Sequence, residues 1–135
     1  MIVVDTNIIA YLWIPGEHTT GAERLLRQDP DWAVPLLWRS EFRNVLGEHS
    51  RVGRLSLELA IQMVEEAERF FAGREYSVPS SKVLAAAASS GCSAYDCEFI
   101  VLAEDLDVAL VTTDRQVLRE FPKRAVTVEQ ALSKH

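Results

Sequence analysis

Twice in this chain a short, largely β-branched apolar run ends at an acid and passes at once into a helical pattern. Ile2-Val3-Val4 stops on Asp5, and Ile8, Ile9 and Leu12 follow at helical spacing. Val108-Ala109-Leu110-Val111 runs through Thr112-Thr113 to Asp114, ahead of a short helix over Arg115 to Phe121. Apolar runs of this kind read as strands buried on both faces. In an open parallel sheet, ligands bind outside the carboxyl ends of the strands, so Asp5 and Asp114 stand where chemistry happens. Each acid also has a plainer reading as the cap of the helix that follows it.

The segments between these two runs keep the alternation. A helix over Thr6 to about Trp13 is stopped by Pro15-Gly16, and Thr19 or Thr20 caps a second through Gln28, with Ala22, Leu25 and Leu26 inward. Trp32-Ala33-Val34 is a strand ended by Pro35. A long helix from Leu37 to Arg51 and another opened by Ser56 form a hairpin around a Val52–Leu55 turn. The second carries a wide stripe of Leu59, Ile61, Met63, Val64, Ala67, Phe70 and Phe71. Then come a brief strand over Glu75–Val78 and a helix over Lys82–Ser89 capped by Ser80 or Ser81. A largely apolar helix from Ser93 to about Leu106 follows, and past Asp114 a last strand over Ala125–Val128 and a helical turn over Glu129–Ser133. Strands alternating with helices mean α/β, with a largely parallel sheet and helices on both faces. No repeat, linker or low-complexity stretch points to a second domain.

Composition narrows the function classes. No apolar run approaches a membrane span and no secretory leader stands at the N-terminus, so a cytoplasmic location is expected. Cys92 and Cys97 make no disulfide framework and lack companion zinc ligands; they read as small buried apolar groups. A net charge of −6 argues mildly against a nucleic-acid partner. Its distribution softens that objection, since Arg39, Arg43, Arg51 and Arg54 cluster, as do Arg115, Arg119, Lys123 and Arg124.

Two further acids stand in unusual settings. Glu41 shares a helix face with Trp38, Phe42, Val45 and Leu46, where a carboxylate is costly unless paired or metal-bound. Its bland readings are a first-turn acid or a salt bridge to Arg39 or Arg43. Asp96 completes Ser93-Ala94-Tyr95-Asp96, which has capping-box form, yet it opens a helix that must pack on the sheet near the strand ends. If Asp5, Glu41, Asp96 and Asp114 converge, their repulsion forces some to protonate unless a cation sits among them. An all-oxygen set suits Mg²⁺ or Mn²⁺. Carboxylate-held Mg²⁺ is apparatus for phosphodiester hydrolysis. Thr112 and Asn7 could hydrogen-bond neighbouring carboxylates, and Arg115, or Arg39 and Arg43 on the hairpin, could hold an RNA backbone.

The order Val3-Val4-Asp5-Thr6-Asn7, Ser40-Glu41, Ser93-Ala94-Tyr95-Asp96 and Leu110-Val111-Thr112-Thr113-Asp114-Arg115 resembles the PIN domain, most of all the compact VapC-type toxins. The resemblance covers essentially the whole chain. It implies a three-layer α/β/α sandwich with a mainly parallel central sheet, in one domain over residues 1–135. It also implies an Mg²⁺- or Mn²⁺-dependent endoribonuclease, a homodimer, and a cognate antitoxin that blocks or distorts the acidic site. Carried over by residue, Asp5, Asp96 and Asp114 match the metal-binding acids. Glu41 matches the acid that helps bind metal or orient the attacking water, and Thr112 and Asn7 match supporting positions. Glu98, an extra acid near Asp96, reads as exposed surface.

Other readings fit less well. An Asp5-based phosphatase needs a second carboxylate two residues on, where this chain has Asn7. A P-loop and a GxGxxG are absent, and His18, His49 and His135 lie in a loop, a helix and the terminus, partnering no nucleophile. From a different class, the chain could be a non-catalytic PIN-like scaffold for RNA or a partner, although a scaffold has no reason to bear the repulsion of intact acids.

Overall fold

The computed structural model describes residues 1–134; the terminal His135 lies outside the described residues. In chain order the elements are β1 (Ile2–Val4), α1 (Thr6–Trp13), α2 (Thr19–Gln28), β2 (Trp32–Pro35), α3 (Trp38–Arg51), α4 (Leu57–Phe70) and β3 (Glu75–Tyr76). There follow α5 (Ser80–Ser89), α6 (Ala94–Leu106), β4 (Leu110–Val111), α7 (Arg115–Glu120), β5 (Ala125–Val126) and α8 (Val128–Leu132). The strands form a sheet of order β3-β2-β1-β4-β5, and every neighbouring pair is parallel. From β1 the chain first builds outward through β2 and β3, then returns to the other side of β1 for β4 and β5. The reversal leaves a crevice at the carboxyl ends of β1 and β4, the usual ligand position in an open α/β sheet.

Strand alternation divides the core into two layers. Ile2, Val4, Trp32, Val34 and Val111 face one side, where Ile8, Ile9, Leu25, Trp38, Phe42, Leu46, Met63 and Phe71 pack on them. Val3, Ala33, Leu110 and Ala125 face the other, under Val83, Phe99, Ile100, Leu102 and Val117. The molecule is therefore a three-layer α/β/α sandwich. Val3, Val4, Ile8, Ile9 and Ile100 are fully buried, and each such side chain stabilises the fold by roughly 1.5–3 kcal/mol. Aromatic contacts close the α3–α4 hairpin and tie it to α1: Trp38 lies 4.8 Å from Phe71 across the hairpin, and Trp13 of α1 stacks edge-on to Phe70 at 5.7 Å. Both cysteines are free and buried, and burial pushes their thiols up. Among the described residues no helix is long and apolar enough to cross a membrane.

The structure corrects several local expectations. Strand β4 does not begin at Val108, because Asp107 takes a left-handed conformation (φ 54°) and the Val108 amide still donates to the Ala103 carbonyl at 3.0 Å, inside the exit of α6. Strand β5 stops at Val126, since Thr127 caps α8 in a reciprocal pair with Gln130 (2.9 and 3.0 Å). Ser77 and Val78 fall outside β3, as β2 ends opposite Tyr76 and offers no further partner. Helix α2 has no side-chain cap: His18 precedes it, and the Thr19 hydroxyl turns back to donate to the Tyr11 carbonyl at 2.8 Å. Pro79, not Ser80 or Ser81, precedes α5. The inward stripe of α4 is narrower than expected. Ala60, Met63 and Ala67 are buried, while Leu57, Leu59 and Ile61 are exposed.

Candidate active site

Asp5 follows β1 and Asp114 follows β4, side by side across the crevice. Both are helix caps as well as cleft residues. Asp5 Oδ1 accepts from the Ile8 amide at 3.1 Å, and Asp114 Oδ1 accepts from the Gln116 and Val117 amides at 2.9 and 3.0 Å. Thr112, itself buried, links the two. Its hydroxyl donates to Asp5 Oδ2 and accepts from the Asp114 amide at 3.0 Å, while the Thr113 amide adds a second donor to Asp5 Oδ2 at 3.2 Å.

Glu41 reaches the same crevice from the first turn of α3, and Asp96 from the first turn of α6, where the Ser93 hydroxyl accepts from the Asp96 amide at 3.1 Å. A close approach holds α6 beside α7: Gln116 Nε2 donates to the Gly91 carbonyl at 2.6 Å, and a Cβ on Gly91 would meet that same nitrogen at 2.9 Å. All four acids line one cleft of about 420 Å³, together with Thr6, Asn7, Ser40, Asn44 and Tyr95.

The electrostatics follow from that convergence. Burial pushes the Asp5 carboxyl above its ordinary value, with the Asp114 charge adding and the hydrogen bonds from Thr112, Ile8 and Thr113 opposing. Glu41 is raised by burial and then by the charges of Asp96, Asp5 and Glu98, against one hydrogen bond from Thr6. Asp96 is raised by burial and by Asp114, against its hydrogen bonds with Ser93. Burial and neighbouring carboxylates thus hold the ionised forms of Asp5, Glu41 and Asp96 uphill, and among the described residues no Lys or Arg lines the cleft to compensate.

Glu41 does not pair with Arg39 or Arg43; Thr6 Oγ1 donates to Glu41 Oε1 at 2.7 Å instead. Thr6 is a cleft residue that belongs to the Val3–Asn7 motif but has no site role in the sequence reading; the available signal is a polar β-branched residue beside Asp5. Arg39 grips Glu75 with two donors, at 2.6 and 2.9 Å, and Arg43 reaches Glu68 at 3.5 Å. Neither lines the acidic cleft, and Arg115 lines an adjoining one. Asn7 Nδ2 donates to Thr113 Oγ1 at 3.1 Å, not to a carboxylate. Glu98 is half-buried rather than exposed, raised by burial, and lines a separate groove beside Leu36, Tyr76 and Leu84.

A divalent cation fits this donor set by its chemistry. Every candidate ligand is a carboxylate, and Asp114 Oδ2 and Glu41 Oε2 carry no hydrogen bond among the described residues. Among the described residues no three His, Cys, Asp or Glu side chains already stand in ligating geometry around one point.

Comparison with known proteins agrees with this architecture. The PIN domain family matches residues 2–124. Ribonuclease VapC3 of Pyrobaculum aerophilum is 34% identical over 124 residues, spanning 90% of this chain and 95% of that protein. The crystal structure of PAE2754 from Pyrobaculum aerophilum matches with a TM-score of 0.77 at 25% identity, covering 97% of this chain and 92% of that one. FitAcB from Neisseria gonorrhoeae shares the fold, with a TM-score of 0.75 at 15% identity over 96% of this chain and 99% of that one. The chain therefore belongs to the PIN-domain family, and within it to the VapC type.

Proposed function

We propose that this chain, a single PIN domain over residues 1–135, is a divalent-metal-dependent endoribonuclease, the toxin of a toxin–antitoxin pair. The observation that carries the reading is the meeting of four carboxylates from four separate elements in one cleft with no compensating Lys or Arg among the described residues. A fold bears that repulsion at a cost to its own stability, which points to a use for the charge. The name of Ribonuclease VapC3 supports RNA as the substrate.

Asp5, Asp96, Asp114 and Glu41 would hold Mg²⁺ or Mn²⁺. When bound, the ion supplies positive charge that offsets the carboxylates and favours attack of water on a phosphodiester. The protein's own part is orientation. Thr112 fixes Asp5 against the start of α7, and the amides of α7 fix Asp114. Thr6 holds one oxygen of Glu41 and leaves the other open to the cleft, suited to accept a proton from an attacking water. Asn7, held by Thr113, lines the cleft beside them and supports the site. A cognate antitoxin and a second copy of the chain are the proposed protein partners; the exposed Val52, Leu57 and Ile61 at the α3–α4 hairpin support such contacts.

The test is incubation of the purified chain with total RNA, with and without Mn²⁺, beside Asp96→Asn. Cleavage that needs both the metal and Asp96 supports the reading. Intact RNA in every arm would leave the alternative, a non-catalytic scaffold. Hydrolysis of small phosphomonoesters with RNA left whole would instead mean a phosphatase.

A further inference from the structure

A second cleft, of about 470 Å³, adjoins the acidic one at the carboxyl end of β4, and Thr112 lines both. Its chemistry is unlike that of its neighbour. Tyr11 and His18 line it with their rings stacked, 4.4 Å between centroids and 31° between planes. The pair is held in place by Thr19, whose hydroxyl donates to the Tyr11 carbonyl at 2.8 Å and accepts from the Gly16 amide at 3.0 Å, fastening the turn that carries His18. The His18 side chain is 57% exposed, so the pair is open to solvent.

Arg115 lines this cleft and is exposed. It forms no ion pair among the described residues. Among the described residues it is the one Arg or Lys lining either cleft. Arg39 and Arg43, the other cations suggested by sequence, are already paired with Glu75 and Glu68. A polyanion approaching four carboxylates needs a nearby cation to hold it, and Arg115 is the one on hand.

We propose that this second cleft is a subsite for single-stranded RNA flanking the scissile phosphate. One base stacks on the Tyr11–His18 pair and the adjacent phosphate pairs with Arg115. Stacked aromatics beside a cation are the usual platform for unpaired nucleotides. Glu17 and Glu129, which also line the cleft, repel phosphate and suit the amino groups of a base. The assignment rests on the nuclease reading of the neighbouring cleft.

The experiment measures binding, not cleavage. Fluorescence anisotropy follows labelled RNA oligonucleotides of about four and about eight nucleotides, titrated with the full chain carrying Asp96→Asn so that the RNA stays whole. The longer RNA is expected to bind more tightly. Tyr11→Leu, His18→Ala and Arg115→Ala, each added to that chain, are expected to erase the margin, by roughly ten-fold. Tyr11→Phe keeps the ring and should retain it. Arg115→Ala should also flatten the salt dependence by about one phosphate contact. Thermal melts confirm that each variant is folded. Unchanged binding by folded Tyr11→Leu and His18→Ala overturns the subsite, whether or not Arg115→Ala weakens it; a charge-only effect would mean that Arg115 meets a phosphate with no base stacked beside it. Failure of the nuclease reading shows separately, as wild-type protein that leaves RNA intact with Mn²⁺.

Discussion

Thr112 does at residue scale what the sheet does at large: it sets the spacing of the strand-end acids. One hydroxyl donates to Asp5 and accepts from the Asp114 amide. Thr112→Val keeps the shape and removes both bonds. It is expected to cost about 1–3 kcal/mol in urea denaturation and to lower RNA cleavage, with Thr112→Ser retaining most of both. Asp5 carries the opposite kind of cost. Burial raises its folded pKa above the unfolded one, so its ionisation favours unfolding. That penalty is absent below the ordinary carboxylate range and grows as pH rises through the raised folded value. Asp5→Asn should therefore melt above wild type in metal-free buffer near neutral pH and converge with it in acid, while cleavage falls by about 10²-fold or more. Melts across a pH series check the sign. Melting below wild type at neutral pH would mean that the hydrogen bonds to Asp5 outweigh its burial.

At the scale of elements, the acid on α3 is only as well placed as the start of that helix. Helix α3 has no side-chain cap, and its first turn is instead fastened to β3. Trp38 Nε1 donates to Glu75 Oε2 at 2.7 Å, and Arg39 meets both oxygens of Glu75. The hydrogen bond from Arg39 is the main reason that Glu75 lies below its ordinary value, with Trp38 adding to it. A lowered folded pKa contributes stability that is full above the ordinary carboxylate range and is lost as pH falls through the folded value. Glu75→Gln is expected to cost about 1–2 kcal/mol near neutral pH and little in acid, where the wild-type carboxyl is itself protonated. It should also loosen Glu41 and slow cleavage. Denaturation at two pH values, beside a cleavage assay, reads both effects.

For the whole molecule, the proposed metal site would couple folding to a divalent cation. If the ion binds only the folded chain, Mg²⁺ or Mn²⁺ at about a hundred times its dissociation constant adds about 2.7 kcal/mol. That amounts to a rise of several degrees in Tm for a domain of this size. Asp5→Asn or Asp96→Asn should shrink that shift sharply, whereas Glu58→Gln, exposed in the first turn of α4, should leave it. Thermal melts with and without metal decide it. A shift retained in both aspartate variants would place the ion elsewhere.

The alternation of short apolar runs with amphipathic helices was enough to specify the α/β class and the element order. Strand-to-helix junctions likewise marked Asp5 and Asp114, because β-branched runs and helix starts are local patterns. Element ends were less legible. Asp107 and Thr127 decide where β4 begins and β5 stops through hydrogen bonds to residues that periodicity does not weigh. What tertiary structure alone decided is which charges meet which. Thr6, not an arginine, answers Glu41; Arg39 and Arg43 turn to Glu75 and Glu68; Tyr11 and His18 stack beside Arg115. Such pairings depend on where the sheet order carries separate segments, and the strength of a contact between charges is set by distance and burial, neither of which is written in a linear chain.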